Sequence, residues 1–158
     1  MTTRSVLDVV PVMQEMKKLE LALAGLYQAC SERFPEDRDF WVAIQQQEER
    51  HAQIIERLAG LIAAHPELFR AGRAFNATAI KTILAGIANY TMQVREGKLP
   101  SQRAKFVARD IENSVLEANY AEIVTTDNLE FRQAMELMAK DTLAHKNAFV
   151  AAVAKGNA

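Results

Sequence analysis

The sequence predicts an all-α protein, and three observations support that prediction. Apolar residues recur every three or four positions along most of the 158 residues, and no long stretch alternates with a period of two. Glycine (6) and proline (4) are scarce, which argues against a β-sandwich or β-barrel because those folds need many turns. The breaks at Pro35, Pro66 and Pro100 divide the chain into segments of helix length.

Two long helices are predicted in the first part of the chain. The first covers about residues 12–34 and ends at the PED sequence that begins with Pro35. The second covers about residues 39–64, with Asp37 or Asp39 as its N-cap, because a short acidic side chain accepts hydrogen bonds from free amides of the first turn. The short connection between the two helices predicts an antiparallel hairpin.

The segments on either side of this hairpin are predicted to be shorter. Before it, SVLDVVP is interpreted as a helical turn or two, or as the start of the first long helix. After it, PELFRAGRAFN (residues 66–76) has the composition of a loop with one or two turns. Residues 77–96 form a further helix, which Gly97 and Pro100 close. The whole span from 65 to 100 is therefore interpreted as a long crossover.

Two more long helices are predicted after the crossover. One runs from Ser101 to about 126, and the other covers about 128–155, with Asp127 and Glu130 as a capping box. The short TTDN link predicts a second antiparallel hairpin. Two hairpins joined by one long crossover that carries an extra helix is the connectivity of a ferritin-like four-helix bundle. Residues 1–158 are predicted to form this single domain.

Composition and charge exclude several classes of function. The net charge of -1 does not indicate a polyanionic partner, so we expect no nucleic acid. The single cysteine, Cys30, excludes a disulfide framework within the chain and a cysteine cluster for zinc or iron–sulfur. The sequence shows no signal-peptide pattern and no apolar run of membrane-spanning length, so we expect a cytoplasmic protein with no membrane partner.

Each of the four long helices turns an ionisable residue toward its apolar stripe, near its middle. On the second helix Glu48 and His51 are three residues apart and share a face with Trp41 and Ile55. The residues in the same situation on the other helices are Glu20, Glu112 and His145. Burying an unpaired carboxylate costs several kcal/mol, a large fraction of the roughly 5–15 kcal/mol by which a domain is stable. A positive partner is therefore expected among them.

One or two divalent cations would satisfy carboxylates and neutral histidines together. The alternatives are basic side chains, protonated acids, or a face that is exposed to solvent. Lys17 lies one turn before Glu20 and Arg109 lies three residues before Glu112, so ion pairing is a real alternative. Carboxylate-rich ligation with histidine favours iron or manganese, and zinc is a further option in a purified sample.

Four motifs lie in order around these residues, one on each long helix. ELALAGLY joins Glu20 to Tyr27, EERH begins with Glu48, IENSVLEANY contains Glu112, and KDTLAHKNAF contains His145. Together they resemble the motifs of the rubrerythrin-like branch of the ferritin-like di-iron carboxylate family. That family takes one glutamate from each of two helices and Glu-x-x-His from each of the other two.

The resemblance implies a site for two metal ions, with iron as the expected metal. It implies that the ligands are Glu20, Glu48, His51, Glu112 and His145. It also implies an oxidoreductase of peroxidase or ferroxidase type, acting on peroxide or dioxygen. Since the sequence lacks the cysteine-ligated rubredoxin module of rubrerythrins, a separate electron donor is expected, or a ferroxidase activity. The family often forms homodimers, so we expect a homodimer here.

One position departs from the family pattern. Thr142 stands three residues before His145, where the family places a second bridging glutamate. Asp141 is adjacent but about 100° around the helix, so it should reach the site only if the helix is distorted. Thr142 is expected to hydrogen-bond a bound water. Tyr27 and Tyr120 are interpreted as core residues or as hydrogen-bond partners of a ligand.

The missing glutamate leaves three hypotheses open. The first is a di-metal oxidoreductase. The second is a metal-binding bundle with a degenerate or mononuclear site and no turnover, because one bridge and one negative charge are lost. The third is a metal-free structural bundle.

Overall fold

The computed structural model describes residues 5–156, apart from the side chain of Glu117, and the other residues of the predicted domain lie outside it.

Helices α1 and α2 form the first pair. α1 is Val9–Arg33 and α2 is Arg38–Ala64. Lys17 pairs with Glu56 at 3.0 Å, while the ring of Tyr27 lies 5.8 Å from that of Trp41. Early residues of one helix therefore meet late residues of the other, so the helices run antiparallel.

The first helix begins before residue 12, within the SVLDVVP segment that was interpreted as a helical turn or two or as the start of this helix. A 3-10 turn, Val6–Asp8, leads directly into α1 at Val9. Pro11 does not prevent this, because the amides of a first helical turn have no partner within the helix and the missing N–H costs nothing there.

Asp37 precedes α2 as expected, but its carboxylate makes no capping hydrogen bond. It accepts hydrogen bonds from Lys105 at 2.8 Å and from Ser101 at 3.3 Å. Both donors belong to the start of helix α4, Ser101–Ala118. The residue expected to cap α2 therefore ties the first pair of helices to α4.

Helix α3, Ala77–Arg95, packs along α1. The side chain of Asn76 caps it by accepting hydrogen bonds from the amides of Thr78 and Ala79. Its buried residues repeat every seven positions, which places them on one stripe. They are Ile80, Ile87 and Val94. Gly97, with a φ of 72°, follows the end of the helix as expected.

The prediction that α4 continues to about residue 126 is wrong. The helix ends at Ala118, and Asn119 then takes a left-handed conformation with a φ of 49°, which asparagine tolerates better than most residues. After a 3-10 turn, strand β2, Val124–Thr125, pairs antiparallel with strand β1, Arg70–Ala71. The two β-branched residues of β2 favour this extended pairing.

Gly72 permits this pairing by letting two backbone segments approach closely. Its amide donates to the carbonyl of Ile123 at 2.9 Å, and a Cβ at this position would collide with the carbonyl oxygen of Glu122. Residues 70–72 of the crossover are therefore hydrogen-bonded to the segment that follows α4.

Helix α5, Leu129–Gly156, packs antiparallel to α4. Gln102 donates to the carbonyl of Val153 at 2.9 Å, and Lys146 donates to Asn113 at 2.7 Å. The predicted capping box is wrong, since the side chain of Asn128 accepts from the amide of Phe131.

Glu130, the other expected member of that box, instead pairs with Arg57 of α2 at 3.1 Å. At the other end of this interface the ring of Phe40 lies 5.5 Å from that of Phe149. α2 and α5 therefore run antiparallel. Since α5 is also antiparallel to α4, helices α2 and α4 point in the same direction, and the chain must cross the length of the molecule between them.

The all-α prediction is confirmed, since the described part of the chain is mostly helical and its five helices pack against each other. None of the helices in residues 5–156 is long and apolar enough to cross a membrane.

Candidate metal centre

Five ionisable side chains from four helices meet in the core. Glu20 comes from α1, Glu48 and His51 from α2, Glu112 from α4, and His145 from α5. Each is at most 3% exposed. Their helical spacing places them on the buried faces, and the packing of the four helices brings these faces to one level. The structure thus brings together all five residues that the sequence indicated.

The five side chains divide into two groups that share Glu48. The Glu20 group consists of Glu20, Glu48 and His51, and the Glu112 group consists of Glu48, Glu112 and His145. Within each group, one atom per residue lies within 4.8 Å of the others.

The two oxygens of Glu48 face different groups. Oε2 lies 3.5 Å from Nδ1 of His51, and Oε1 lies 2.8 Å from Nδ1 of His145. The two imidazole rings are stacked, with centroids 5.9 Å apart. A single carboxylate therefore stands between two clusters of ligand atoms.

Several of these ligand atoms make no hydrogen bond of normal geometry, although Glu48 Oε1 and His145 Nδ1 lie at ion-pair distance. Among the described residues, seven buried side-chain nitrogen or oxygen atoms lack a hydrogen-bond partner, and five of the seven belong to the two groups. These are Glu20 Oε1, Glu48 Oε1, His51 Nδ1, Glu112 Oε2 and His145 Nδ1. Leaving a buried polar atom unpaired costs about 1–3 kcal/mol. Carboxylate oxygens and imidazole nitrogens are suitable ligands for divalent metals, so the cluster could hold a metal ion.

The outer nitrogen of each imidazole is held by the opposite helix. Nε2 of His51 lies 3.0 Å from Oδ2 of Asp141 on α5, and Nε2 of His145 contacts Oε1 of Gln47 on α2. An acceptor at Nε2 keeps the proton there and leaves Nδ1 free to bind a metal. The histidines are therefore oriented toward the two groups.

Asp141 contacts His51 and belongs to neither group. α5 is a continuous α-helix through this position, and the Asp141 side chain is 34% exposed. Because α2 lies on the side of α5 to which Asp141 points, its carboxylate meets the outer edge of His51 and stays out of both groups. Sequence reasoning missed Gln47, whose signal is its position directly before Glu48, as Asp141 stands directly before Thr142.

The remaining expected residues have distinct contacts. Tyr27 donates a hydrogen bond to Oε1 of Glu112 at 2.6 Å, so it contacts a member of the Glu112 group. Burial, followed by the charge of Glu112, raises the pKa of Tyr27 well above its usual value, and its hydroxyl keeps its proton. Thr142 is buried, and its hydroxyl donates to the carbonyl of Met138 at 2.8 Å. The hydroxyl of Tyr120 is buried and has no partner among the described residues.

Within residues 5–156, the two basic side chains named as alternatives do not neutralise the cluster. Lys17 pairs with Glu56, and Arg109 pairs with Asp110 at 3.0 Å. Both basic residues named as alternatives in the sequence therefore make their contacts outside the two groups.

The cluster attracts positive charge strongly. Burial raises the pKa of Glu20 well above its usual value, and the neighbouring charge of Glu48 raises it further. Burial lowers the pKa of His51, but Glu20 and Glu48 outweigh this and raise it to about 11. Burial likewise lowers the pKa of His145, and Glu112 and Glu48 raise it to about 9. Without a metal, protons supply part of the positive charge that three close carboxylates require.

Comparison with known proteins finds no relative. No protein-family model, no curated protein and no solved structure matches this chain. The functional interpretation therefore rests on the geometry of the two groups.

Proposed function

We propose that the chain is a rubrerythrin-like member of the ferritin-like di-metal carboxylate proteins. The observation that carries the proposal is the pair of buried ligand groups that share Glu48. One metal ion would be held by Glu20, Glu48 and His51, and a second by Glu48, Glu112 and His145. Iron is the metal we favour, and manganese or zinc would suit the same ligands.

The path of the chain supports this proposal. Helices α1, α2, α4 and α5 supply the ligands, α2 and α4 point in the same direction, and α3 lies in the crossover between them. A four-helix bundle with one long crossover is the ferritin-like arrangement.

The proposed activity is the reduction of peroxide or dioxygen. When bound, two ferrous ions would supply the electrons for this reaction. The chain itself positions the ligands, with Asp141 and Gln47 holding the outer nitrogens of the two histidines. Tyr27 holds Glu112 and keeps a proton on its hydroxyl beside the Glu112 group. The apolar core around the groups limits the access of bulk water.

A second candidate function is metal binding without turnover. The observation that favours it is Thr142, whose hydroxyl bonds the carbonyl of Met138 and supplies no second bridging carboxylate. One position would then bind its ion more weakly, or a single ion would be held.

The remaining elements of the proposal concern partners. A separate electron donor is proposed because the sequence has one cysteine and so cannot form a rubredoxin-type centre. A homodimer is proposed through the outer face of α3, where Lys81, Thr82 and Asn89 are exposed. The proposed location is the cytoplasm.

Metal analysis tests the binding proposal. Protein incubated with ferrous iron without oxygen and then desalted should retain up to two ions per chain. His51→Ala should lose at least one ion, whereas His65→Ala should lose none, because His65 is exposed at the end of α2. If the unmodified chain retains no stoichiometric iron, manganese or zinc, it is a metal-free bundle and the proposal is wrong.

Rapid mixing of the ferrous protein with peroxide or dioxygen separates the two functions. An oxidoreductase or ferroxidase should be oxidised much faster than free ferrous iron under the same conditions. Stoichiometric metal with no such acceleration would favour binding without turnover.

A further inference from the structure

A cavity of about 40 Å³ reaches the centre between Glu20 and Thr142. Most of its wall is apolar and includes Met135 and Met138. Its lining includes Asn119, which is exposed, and Glu20, which belongs to the Glu20 group.

Two polar atoms at this cavity lack partners. Glu20 is 1% exposed and Tyr120 is 8% exposed. In the part of the chain that the structure describes, neither Glu20 Oε1 nor the Tyr120 hydroxyl has a hydrogen-bond partner. Thr142 uses its proton on the carbonyl of Met138. The unpartnered hydroxyl of Tyr120 is therefore available to donate a hydrogen bond to a molecule in the cavity.

The charge of the loaded centre identifies the kind of molecule. Three carboxylates, those of Glu20, Glu48 and Glu112, carry three negative charges, whereas two divalent ions carry four positive ones. One positive charge would remain among the buried ligand groups, which is costly. The nearby carboxylate of Asp141 does not cancel it there, because that side chain is 34% exposed and belongs to neither group. A fourth carboxylate would cancel it, and Thr142 does not provide one.

The volume limits the size of such a molecule. A water needs about 10–15 Å³ of cavity volume, so this cavity has room for roughly three water-sized groups. Formate has three non-hydrogen atoms, one of them a carbon that suits the apolar wall.

We propose that the cavity binds a small monocarboxylate of formate size, which supplies the carboxylate that Thr142 lacks. Tyr120 donates a hydrogen bond to it, and Met135 and Met138 contact its carbon. This inference rests on the proposed function, since the negative ligand is needed only when two metal ions are present.

The test is equilibrium dialysis of the protein with cobalt(II), with and without labelled sodium formate, and with sodium chloride as the salt control. Formate should increase the affinity for the second cobalt ion at least about tenfold, because its negative charge would offset the charge left uncompensated in the buried site. About one formate should be retained per chain, and only when cobalt is present.

Three variants make the test specific. Thr142→Glu should bind the second cobalt ion without formate and should not respond to formate. Thr142→Val has similar size and no added charge, so it should still respond. Tyr120→Phe should bind formate about tenfold more weakly, because one hydrogen bond to a charged group is lost, yet should reach the same cobalt content at saturating formate.

The outcomes separate this inference from the proposed function. Cobalt binding that does not respond to formate, or formate retained equally without cobalt, overturns the inference and leaves the metal centre in place. No cobalt binding under any condition overturns the proposed function, and the inference with it.

Discussion

Helices α2 and α5 present equivalent positions to the centre but fill them differently. In each helix a buried residue stands three positions before a histidine. The residue just before that buried residue contacts the histidine of the other helix. The three positions are Gln47, Glu48 and His51 on α2, and Asp141, Thr142 and His145 on α5. Each helix therefore supplies the residue that contacts the other helix's histidine. The carboxylate of α5, Asp141, lies one residue before the position equivalent to Glu48.

This difference of one residue changes the role of the carboxylate. One step along an α-helix turns a side chain by about 100°. Glu48 is 1% exposed and belongs to both ligand groups, whereas Asp141 is 34% exposed and contacts only the outer edge of His51. A carboxylate is thus common to both groups on one helix and contacts the outer nitrogen of a histidine on the other.

Replacing the shared carboxylate should have the largest effect. Glu48→Gln is expected to weaken the binding of both metal ions more than about 100-fold, a loss beyond that usual for residues that only orient a ligand. Competition with a chelator measures this, and circular dichroism checks folding. Glu49→Gln is the matched control, because Glu49 is exposed on the same helix. Loss of one ion with the other unaffected would show that Glu48 is not shared.

Asp141→Asn should have the next largest effect. Removing the negative charge that orients His51 is expected to weaken the ion of the Glu20 group about 10–100-fold, with little change in the other ion. Stepwise titration with cobalt(II) resolves the two affinities. Glu136→Gln, at an exposed position of α5, should change neither. Equally weaker binding of both ions would contradict the prediction that Asp141 acts only through His51.

Lower pH should weaken metal binding. With pKa values raised to about 11 for His51 and about 9 for His145, each histidine holds a proton at neutral pH in the metal-free protein. The metal must displace these protons, so affinity should rise about tenfold per pH unit for each proton displaced. Calorimetry in buffers of different ionisation enthalpy should detect about one proton released per ion, and no release would contradict this.

Gln47→Leu should have the smallest effect. The hydrogen bond from His145 to a neutral amide is about half as strong as one to a carboxylate. The ion of the Glu112 group should therefore bind about tenfold more weakly at most, in the same cobalt titration. A larger loss of metal affinity than that caused by Asp141→Asn would show that Gln47 contributes more than Asp141.

The candidate ligand residues could be predicted from the sequence because helical periodicity is a local property. Glu48 and His51 share a face at any position where the chain is helical, and the burial of Glu20, Glu112 and His145 follows from the same period. The cost of burying charge then indicated that such residues need a common positive partner.

The residues that contact the outer nitrogens of the two histidines were harder to predict from the sequence. His51 and Asp141 are 90 residues apart, and His145 and Gln47 are 98 apart, so their contacts depend on how α2 and α5 are placed against each other. Asp141 was expected beside the site, but its partner His51 lies on α2, whose position cannot be read from α5 alone. The early end of α4 was also missed, because β2 forms only when β1 from the crossover is beside it.

Local rules were thus enough for the helices, their buried faces and the residues that could bind metal. They depend on backbone geometry and on the cost of desolvation, which act within a few residues. The sharing of Glu48, the acceptor at each histidine and the cavity beside Thr142 arise where distant segments pack together. That packing is a property of the assembled helices, and no single segment specifies it.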